Sequence, residues 1–239
     1  MQFIDTHIHL QDYKSNNAIN IITSAIQQGC DKMLCVSSHP SDWGQISQLS
    51  NIYSQNLIPV FGVHPWYVKA VHSEWKDILC EYLNKFPNAL LGECGIDGLK
   101  PDVELQKQIF AEHIKIAKEY NKSLIIHSVK AVPLMDEFWS ELSQKFVIHA
   151  FNGKKEFLNQ VIKHGGYIGI GVGLLKTNKA HEILPLIPKD KLLLETDAPY
   201  QAQYPWDIIT LAQQIATILN ESIDSILQQT YANSLEFIK

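Results

Sequence analysis

The sequence predicts an α/β protein, a single-domain (β/α)8 barrel spanning residues 1–239. Three observations predict it. Short apolar runs alternate with longer stretches of helical period, the order that builds a parallel sheet covered by helices. The runs are almost continuously apolar, as strands buried on both faces are. Polar residues able to do chemistry recur directly after these runs. In a barrel the loops after every strand meet at one mouth, so residues from strands one, four, five, six and eight reach a single point. An open doubly wound sheet gathers its site near one switch point and would scatter them.

The elements follow in order. Phe3-Ile4 opens a strand at 2–5 that runs into His7-Ile8-His9, and a helix at 17–29 ends on Gly29. A strand at 32–37 and a helix at 42–55 precede the strand 57–63, which ends Val60-Phe61-Gly62-Val63. After a helix at 74–86, Ala89-Leu90-Leu91-Gly92 forms the strand 89–93; Asp102 is placed to cap the helix 103–120. Ser123-Leu124-Ile125-Ile126 gives the strand 123–127, and a helix is expected at 133–144. Phe146-Val147-Ile148 gives 146–149, and a helix at 155–163 stops before Gly165-Gly166. A strand at 166–170, a short helix at 181–186 and Leu192-Leu193-Leu194 (strand 192–195) complete eight units. Helices at 206–219 and 222–238, the last capped by Ser222, close the chain.

Composition narrows the function classes. Of the 239 residues, 46% are hydrophobic and 19% charged, enough apolar surface for one substantial core. No apolar run approaches bilayer length, and the chain opens directly on a strand without a basic, cleavable leader, so no membrane association is expected. Cys30, Cys35, Cys80 and Cys94 show no CxxC spacing and fall in or beside core elements, which reads as reduced thiols in a cytoplasmic protein. All 20 basic residues are lysines against 25 acidic ones, for a net charge of −5. The chain therefore lacks both a broad basic footprint and the guanidinium fork suited to phosphate.

The strand ends carry the chemistry. Side chains at i and i+2 of a strand point the same way, so His7 and His9 aim two imidazoles into one volume, as a metal ion requires. Val63 is followed by His64, Gly92 by Glu93, Ile126 by His127 and Ile148 by His149; Leu194 runs into Glu195-Thr196-Asp197. A buried carboxylate needs a cation or donors beside it, and a bridging place between two metals supplies that for Glu93. His127 and His149 add a second set of nitrogen donors. Asp197 is assigned as ligand and general base, and Glu195 as the residue orienting a histidine from behind. His64 is placed in the site as a contact to substrate or developing charge rather than a ligand. His39 also follows a strand, and its loop leaves peripheral and functional readings open. His72, His113, His164 and His181 fall in or beside helices and read as surface or packing residues. Phe151-Asn152-Gly153 reads as a mouth loop whose aromatic either stacks on a base or packs. The run Gly169-Ile170-Gly171-Val172-Gly173 opens no clear helix and is given no phosphate role.

Taken together, Asp5-Thr6-His7-Ile8-His9, Gly62-Val63-His64-Pro65, Gly92-Glu93-Cys94-Gly95-Ile96-Asp97, Ile126-His127-Ser128, His149-Ala150-Phe151-Asn152-Gly153 and Glu195-Thr196-Asp197-Ala198-Pro199 resemble, in order and spacing, the TatD-type metal-dependent deoxyribonucleases of the amidohydrolase-like barrels. The resemblance covers essentially the whole chain. It implies a TIM barrel with two divalent metal ions (Mg, Mn or Zn). By that likeness His7, His9, Glu93 and Asp197 hold one, and Glu93, His127 and His149 the other. Two departures stand out. Family members commonly carry an arginine two residues after the histidine matching His127, where this chain has Val129. They also commonly carry a longer segment with an Arg-Asn pair after Asp-Ala-Pro, where residues 200–206 are short and have neither.

The expected activity is hydrolysis of DNA phosphodiester bonds by metal-activated water, with Asp197, Glu93 and His64 catalytic. DNA is expected to bind weakly, at ends or single strands, through the metals and lysines such as Lys130 and Lys154. The sparse basic surface keeps a rival open: an amidohydrolase-like enzyme acting on a small ester, lactone or amide.

Overall fold

Eight parallel strands lie in one sheet whose spatial order is the chain order: β1 (Phe3–Ile8), β2 (Cys30–Val36), β3 (Leu57–Phe61), β4 (Leu90–Asp97), β5 (Leu124–Val129), β6 (Phe146–Ile148), β7 (Tyr167–Ile170) and β8 (Leu192–Leu194). They are drawn from a computed structural model describing residues 2–13, 17–142 and 144–239. Helices α1 (Asn17–Gln27), α2 (Trp43–Ile52), α3 (Trp75–Lys85), α4 (Val103–Tyr120), α5 (Val132–Met135), α6 (Lys155–Lys163), α7 (Val172–Leu175) and α8 (Ala180–Ile183) connect them, and α9 (Ile208–Leu219) and α10 (Ile223–Phe237) follow β8. This is a TIM barrel. Among the described residues no helix is long and apolar enough to cross a membrane.

The ring closes between β8 and β1. Ile8 bridges Ala198; the His9 N–H donates to the Ala198 carbonyl and the Asp197 N–H to the His7 carbonyl, both at 2.9 Å. Side chains reinforce the seam. The Asp5 carboxylate accepts the Thr196 N–H at 3.0 Å and its hydroxyl at 2.5 Å, and the Thr6 hydroxyl donates to the Leu194 carbonyl at 2.9 Å. Thus the two segments carrying His7, His9 and Asp197 are tied together where the barrel needs closing.

Every strand gives a side chain to one buried inner cluster: Ile4, Val36, Val60, Leu90, Ile125, Val147, Tyr167 and Leu193 among them, with Phe237 of α10 added. A larger cluster packs the outer strand faces against the helices. Apolar filling of this kind leaves the polar residues only the strand ends, and there His7, His9, Glu93, His127, His149, Glu195 and Asp197 are all buried.

Four local expectations need correction. β4 runs to Asp97, past the expected end at 93, because Cys94 to Asp97 continue the ladder onto β5 beyond a register shift after Leu91. Gly95, at φ +136°, permits this: a Cβ there would fall on the His127 carbonyl. The helix expected at 133–144 exists only as α5; residue 143 lies outside the described residues, and much of the rest is turn. Met135, Phe138, Trp139 and Leu142 are nonetheless buried, since successive turns (Phe138 N–H to the Met135 carbonyl, Glu141 N–H to the Phe138 carbonyl) keep a period near three. The glycine run does open a helix, the four-residue α7. Asp102 precedes α4 but makes no cap bond; at φ 65° its carboxylate meets Lys69 at 2.9 Å instead. Ser222 does cap α10, its hydroxyl accepting the Ser225 N–H at 3.1 Å.

Candidate metal centre

Glu93 stands at the centre of the mouth with its two oxygens facing two groups of donors. Oε2 lies 3.4 Å from His7 Nε2 and 3.9 Å from His9 Nε2; Asp197 Oδ1 completes this side, 3.3 Å from His9 Nε2 and 3.9 Å from His7 Nε2. Oε1 lies 2.7 Å from both His127 Nδ1 and His149 Nε2, which are 3.3 Å from each other. β1, β4, β5, β6 and the β8 end each supply part of the cluster. The structure therefore brings together all six residues expected from sequence as ligands.

Which ring nitrogen carries the proton decides which imidazoles can ligate. His9 Nδ1 lies 2.9 Å from the Val36 carbonyl, an acceptor, so the proton sits there and the Nε2 lone pair faces the site. His149 Nδ1 looks to Glu195 Oε1 at 3.4 Å, leaving Nε2 for Glu93's side. His127 is turned the other way about, Nε2 toward Asp97 Oδ2 at 3.6 Å and Nδ1 inward. His64 is the opposite case. Its Nδ1 accepts the Trp66 backbone N–H at 3.1 Å, so its proton is on Nε2, which points at Glu93 Oε1 from 3.4 Å. Although His64, Glu93 and His127 are close enough to form a third donor group, His64 is set up as a hydrogen-bond donor rather than a ligand.

The electrostatics agree with a demand for positive charge. Burial pushes the Glu93 carboxyl up, but with a second proton on the imidazoles in place of an ion, the charges of His149 and His64 and hydrogen bonds from His127 and His149 outweigh it and hold Glu93 well below its ordinary value. Burial likewise opposes ionisation of Asp197, yet in that same protonated state the His9 hydrogen bond and neighbouring imidazole charge bring it down to about 2. The donor set, two carboxylates and four inward-facing imidazole nitrogens with acceptors behind three of them, fits divalent ions of the Zn, Mn or Mg type.

Other side chains hold these in place. Glu195 Oε1 accepts the Ala150 N–H at 2.5 Å besides facing His149, and Gly169 leaves it room, since a Cβ there would meet its other oxygen. Asp97, which the sequence reading assigned no role, accepts the Trp66 indole N–H at 2.6 Å and the Leu99 N–H at 2.9 Å. Gln201 donates from Nε2 to Asp197 Oδ2 at 2.8 Å, while its Oε1 accepts the Gly173 N–H at 3.0 Å. That backbone donor fixes the amide's orientation. Asp97 was findable: it follows Glu93 by four along a strand and so shares its face. Gln201 had no such signal. His39 lies aside, its Nδ1 accepting the Ser41 N–H. Phe151 is buried and stacks on Phe157 at 5.6 Å, although it also lines the cavity. His113 is buried packing; His72 and His181 are exposed, and His164 stacks on Trp139.

A family model described as TatD related DNase matches residues 4–239. The chain belongs to the TatD-related DNase family. A Haemophilus influenzae protein described as an uncharacterized metal-dependent hydrolase is 29% identical over 99% of this chain and 99% of its own length. The 3'-5' ssDNA/RNA exonuclease TatD of Escherichia coli K12 is 28% identical over 76% of this chain and 72% of its own. The crystal structure of a TatD family hydrolase from Entamoeba histolytica superposes with a TM-score of 0.91, covering 99% of this chain and 98% of that one, and at 21% identity it speaks for the shared fold. Like its family, this chain is a metal-dependent hydrolase.

Proposed function

We propose that the protein hydrolyses phosphodiester bonds in DNA, acting at ends or on single strands with two divalent cations. The observation that carries this is the division of Glu93 between two donor groups, His7, His9 and Asp197 on one oxygen and His127 and His149 on the other. When bound, Mg, Mn or Zn supplies Lewis acidity that lowers the pKa of an attacking water and polarises the phosphoryl oxygens. The remaining work falls to the chain. Asp197, ionised at neutral pH and held by Gln201, accepts the water proton as the new P–O bond forms; the P–O bond to the departing sugar oxygen breaks on the opposite side, and that oxygen leaves as a hydroxyl after taking a proton from solvent. His64, its proton fixed on Nε2, donates to charge developing on phosphoryl oxygen. Lys130 and Lys154, both lining the cavity, meet neighbouring phosphates in place of the missing arginines. Three of the four free cysteines, Cys30, Cys35 and Cys94, are buried, which suits a reducing cytoplasm.

The names of relatives support DNA over a small ester. Nucleotide release from single-stranded and duplex DNA, measured with each metal beside a panel of small esters, lactones and amides, tests the reading. The expected result is metal-dependent nucleotide release with the panel inert. Turnover of a panel member with no release from DNA would replace DNA as the substrate.

A further inference from the structure

Trp66, Tyr67 and Tyr200 are 54%, 40% and 66% exposed, and all three line one cavity of about 810 Å³ above the metal centre. Single exposed apolar residues are ordinary, whereas several aromatics around one polar centre mark a ligand surface. These rings are held in place. The Trp66 indole N–H is bound to Asp97, and the Lys100 ammonium lies 4.2 Å from the ring centroid, covering one face. Its exposure therefore falls on the rim and the opposite face. The Tyr200 hydroxyl donates to Asp12 at 2.9 Å, and its ring stands at 79° to that of His9 with centroids 5.3 Å apart. Tyr67 stands at 83° to His39.

Charge is distributed around the same mouth in a complementary way. Trp66 and Tyr67 come from the loop after β3 and Tyr200 from the loop after β8, the arc that encloses β1 and β2. The cavity's lysines, Lys130, Lys154 and Lys179, come from the loops after β5, β6 and β7. In a ring of eight strands these are opposite arcs, with Glu93 and its partners between them. Apart from Lys100, which lies on Trp66 and does not line the cavity, one arc offers π-faces and the other offers ammonium groups.

Resting on the nuclease reading above, we infer that Trp66 and Tyr200 form a base-stacking subsite, which holds nucleobases of a single strand while the lysine arc takes its phosphates. Stacking is tolerant of sequence because every base has a π-face, and it is closed to duplex DNA, whose base faces are already covered. In a chain without arginine, affinity is then moved from phosphate to base.

Steady-state kinetics on a short single-stranded oligonucleotide, intact or abasic near its cleaved end, tests the subsite. Trp66→Leu and Tyr200→Leu remove a π-face each; Trp66→Phe keeps one while losing the indole N–H to Asp97. Manganese titration of each metal-free variant checks that the metal centre is undisturbed. The expected result is a KM on the intact strand raised about ten-fold or more in both leucine variants, from the loss of one base stack. Trp66→Phe should stay near wild type, and the preference for intact over abasic strands should disappear in the leucine variants. Wild-type KM and an unchanged intact-to-abasic preference in Trp66→Leu and Tyr200→Leu overturn the subsite while leaving DNA hydrolysis standing. A wild-type protein that cleaves no DNA with any of the metals overturns the nuclease reading and the subsite together.

Discussion

The two oxygens of Asp197 face different partners, Oδ1 toward His9 and His7 and Oδ2 toward the Gln201 amide. The residue itself sits at φ 49°, in the left-handed region that Asp tolerates better than most side chains. Asp197→Asn keeps this shape but removes the acceptor for the water proton. Turnover should fall on the order of 10²-fold or more with the melting temperature nearly unchanged. Near wild-type turnover, with metal content verified, would shift the base role to Glu195. Glu93→Ala should be harsher, lowering bound metal as well as abolishing hydrolysis, because both donor groups lose the oxygen they share; full metal occupancy by elemental analysis would rule the bridge out. His113 governs a different property. It is fully buried, its Nδ1 facing the Ile109 carbonyl at 2.8 Å and its Nε2 accepting the Val63 N–H at 3.2 Å. Burial lowers its pKa from 6.5 to about 4. A pKa lowered in the folded state means that the unfolded chain takes up the proton first. The stability that His113 contributes is therefore complete above pH 6.5 and is lost as pH falls from 6.5 toward 4, by about 3 kcal/mol in all. Denaturant unfolding of wild type and His113→Gln across that range should give curves that converge toward acid; parallel curves would show that His113 does not contribute to acid sensitivity.

β4 is the element on which the site depends most, since it carries both Glu93 and Asp97 and pairs with β5 right up to the mouth. Gly95 lies between them at a φ no L side chain adopts readily, and a Cβ there would fall on the His127 carbonyl. Gly95→Ala should therefore separate β4 from β5 where His127 sits. The expected cost is about 2 kcal/mol or more of stability, seen as a melting temperature lower by about 5 °C or more, together with weakened metal binding. An unchanged melting temperature would mean that the ladder bends there freely. The same element shows what a sequence can and cannot disclose. Strand ends at His7, Glu93, His127, His149 and Asp197 were legible because an apolar run stopped at each, and barrel topology brings strand ends together. The continuation of β4 was hidden because Gly92 and Gly95 are small residues that let the backbone bend and interrupt the apolar run, while the bulge that uses them depends on β5 lying alongside. The helix expected at 133–144 failed for a related reason. Its apolar spacing is real, and a chain of turns after Pro133 buries the same residues without a continuous helix. Gln201 and Trp66 were not legible at all, because their partners, Gly173 in α7 and Asp97 at the end of β4, are brought beside them only by the folded barrel.

At the scale of the whole molecule, a net charge of −5 without one arginine has to be reconciled with a polyanionic substrate. The barrel concentrates what positive charge it can use. Lys130, Lys154 and Lys179 share one arc of the mouth, and the buried carboxylates below call for divalent cations. Each phosphate neutralised on a single strand releases condensed counterions and lowers log K by roughly 0.7 per decade of salt. With three lysines at the mouth, the slope should correspond to only about two or three phosphates, far from the steep dependence of an extended basic groove. Affinity that salt does not govern comes from the metal centre together with base stacking on Trp66 and Tyr200; the phosphate held at the metals is what brings the bases to those rings, so a chelator should nearly abolish binding. A titration of labelled single-stranded DNA across salt concentrations, with and without chelator, measures both quantities at once. A steep slope that persists in chelator would show that the strand lies along some other surface of the barrel, outside the reach of Glu93 and the lysine arc.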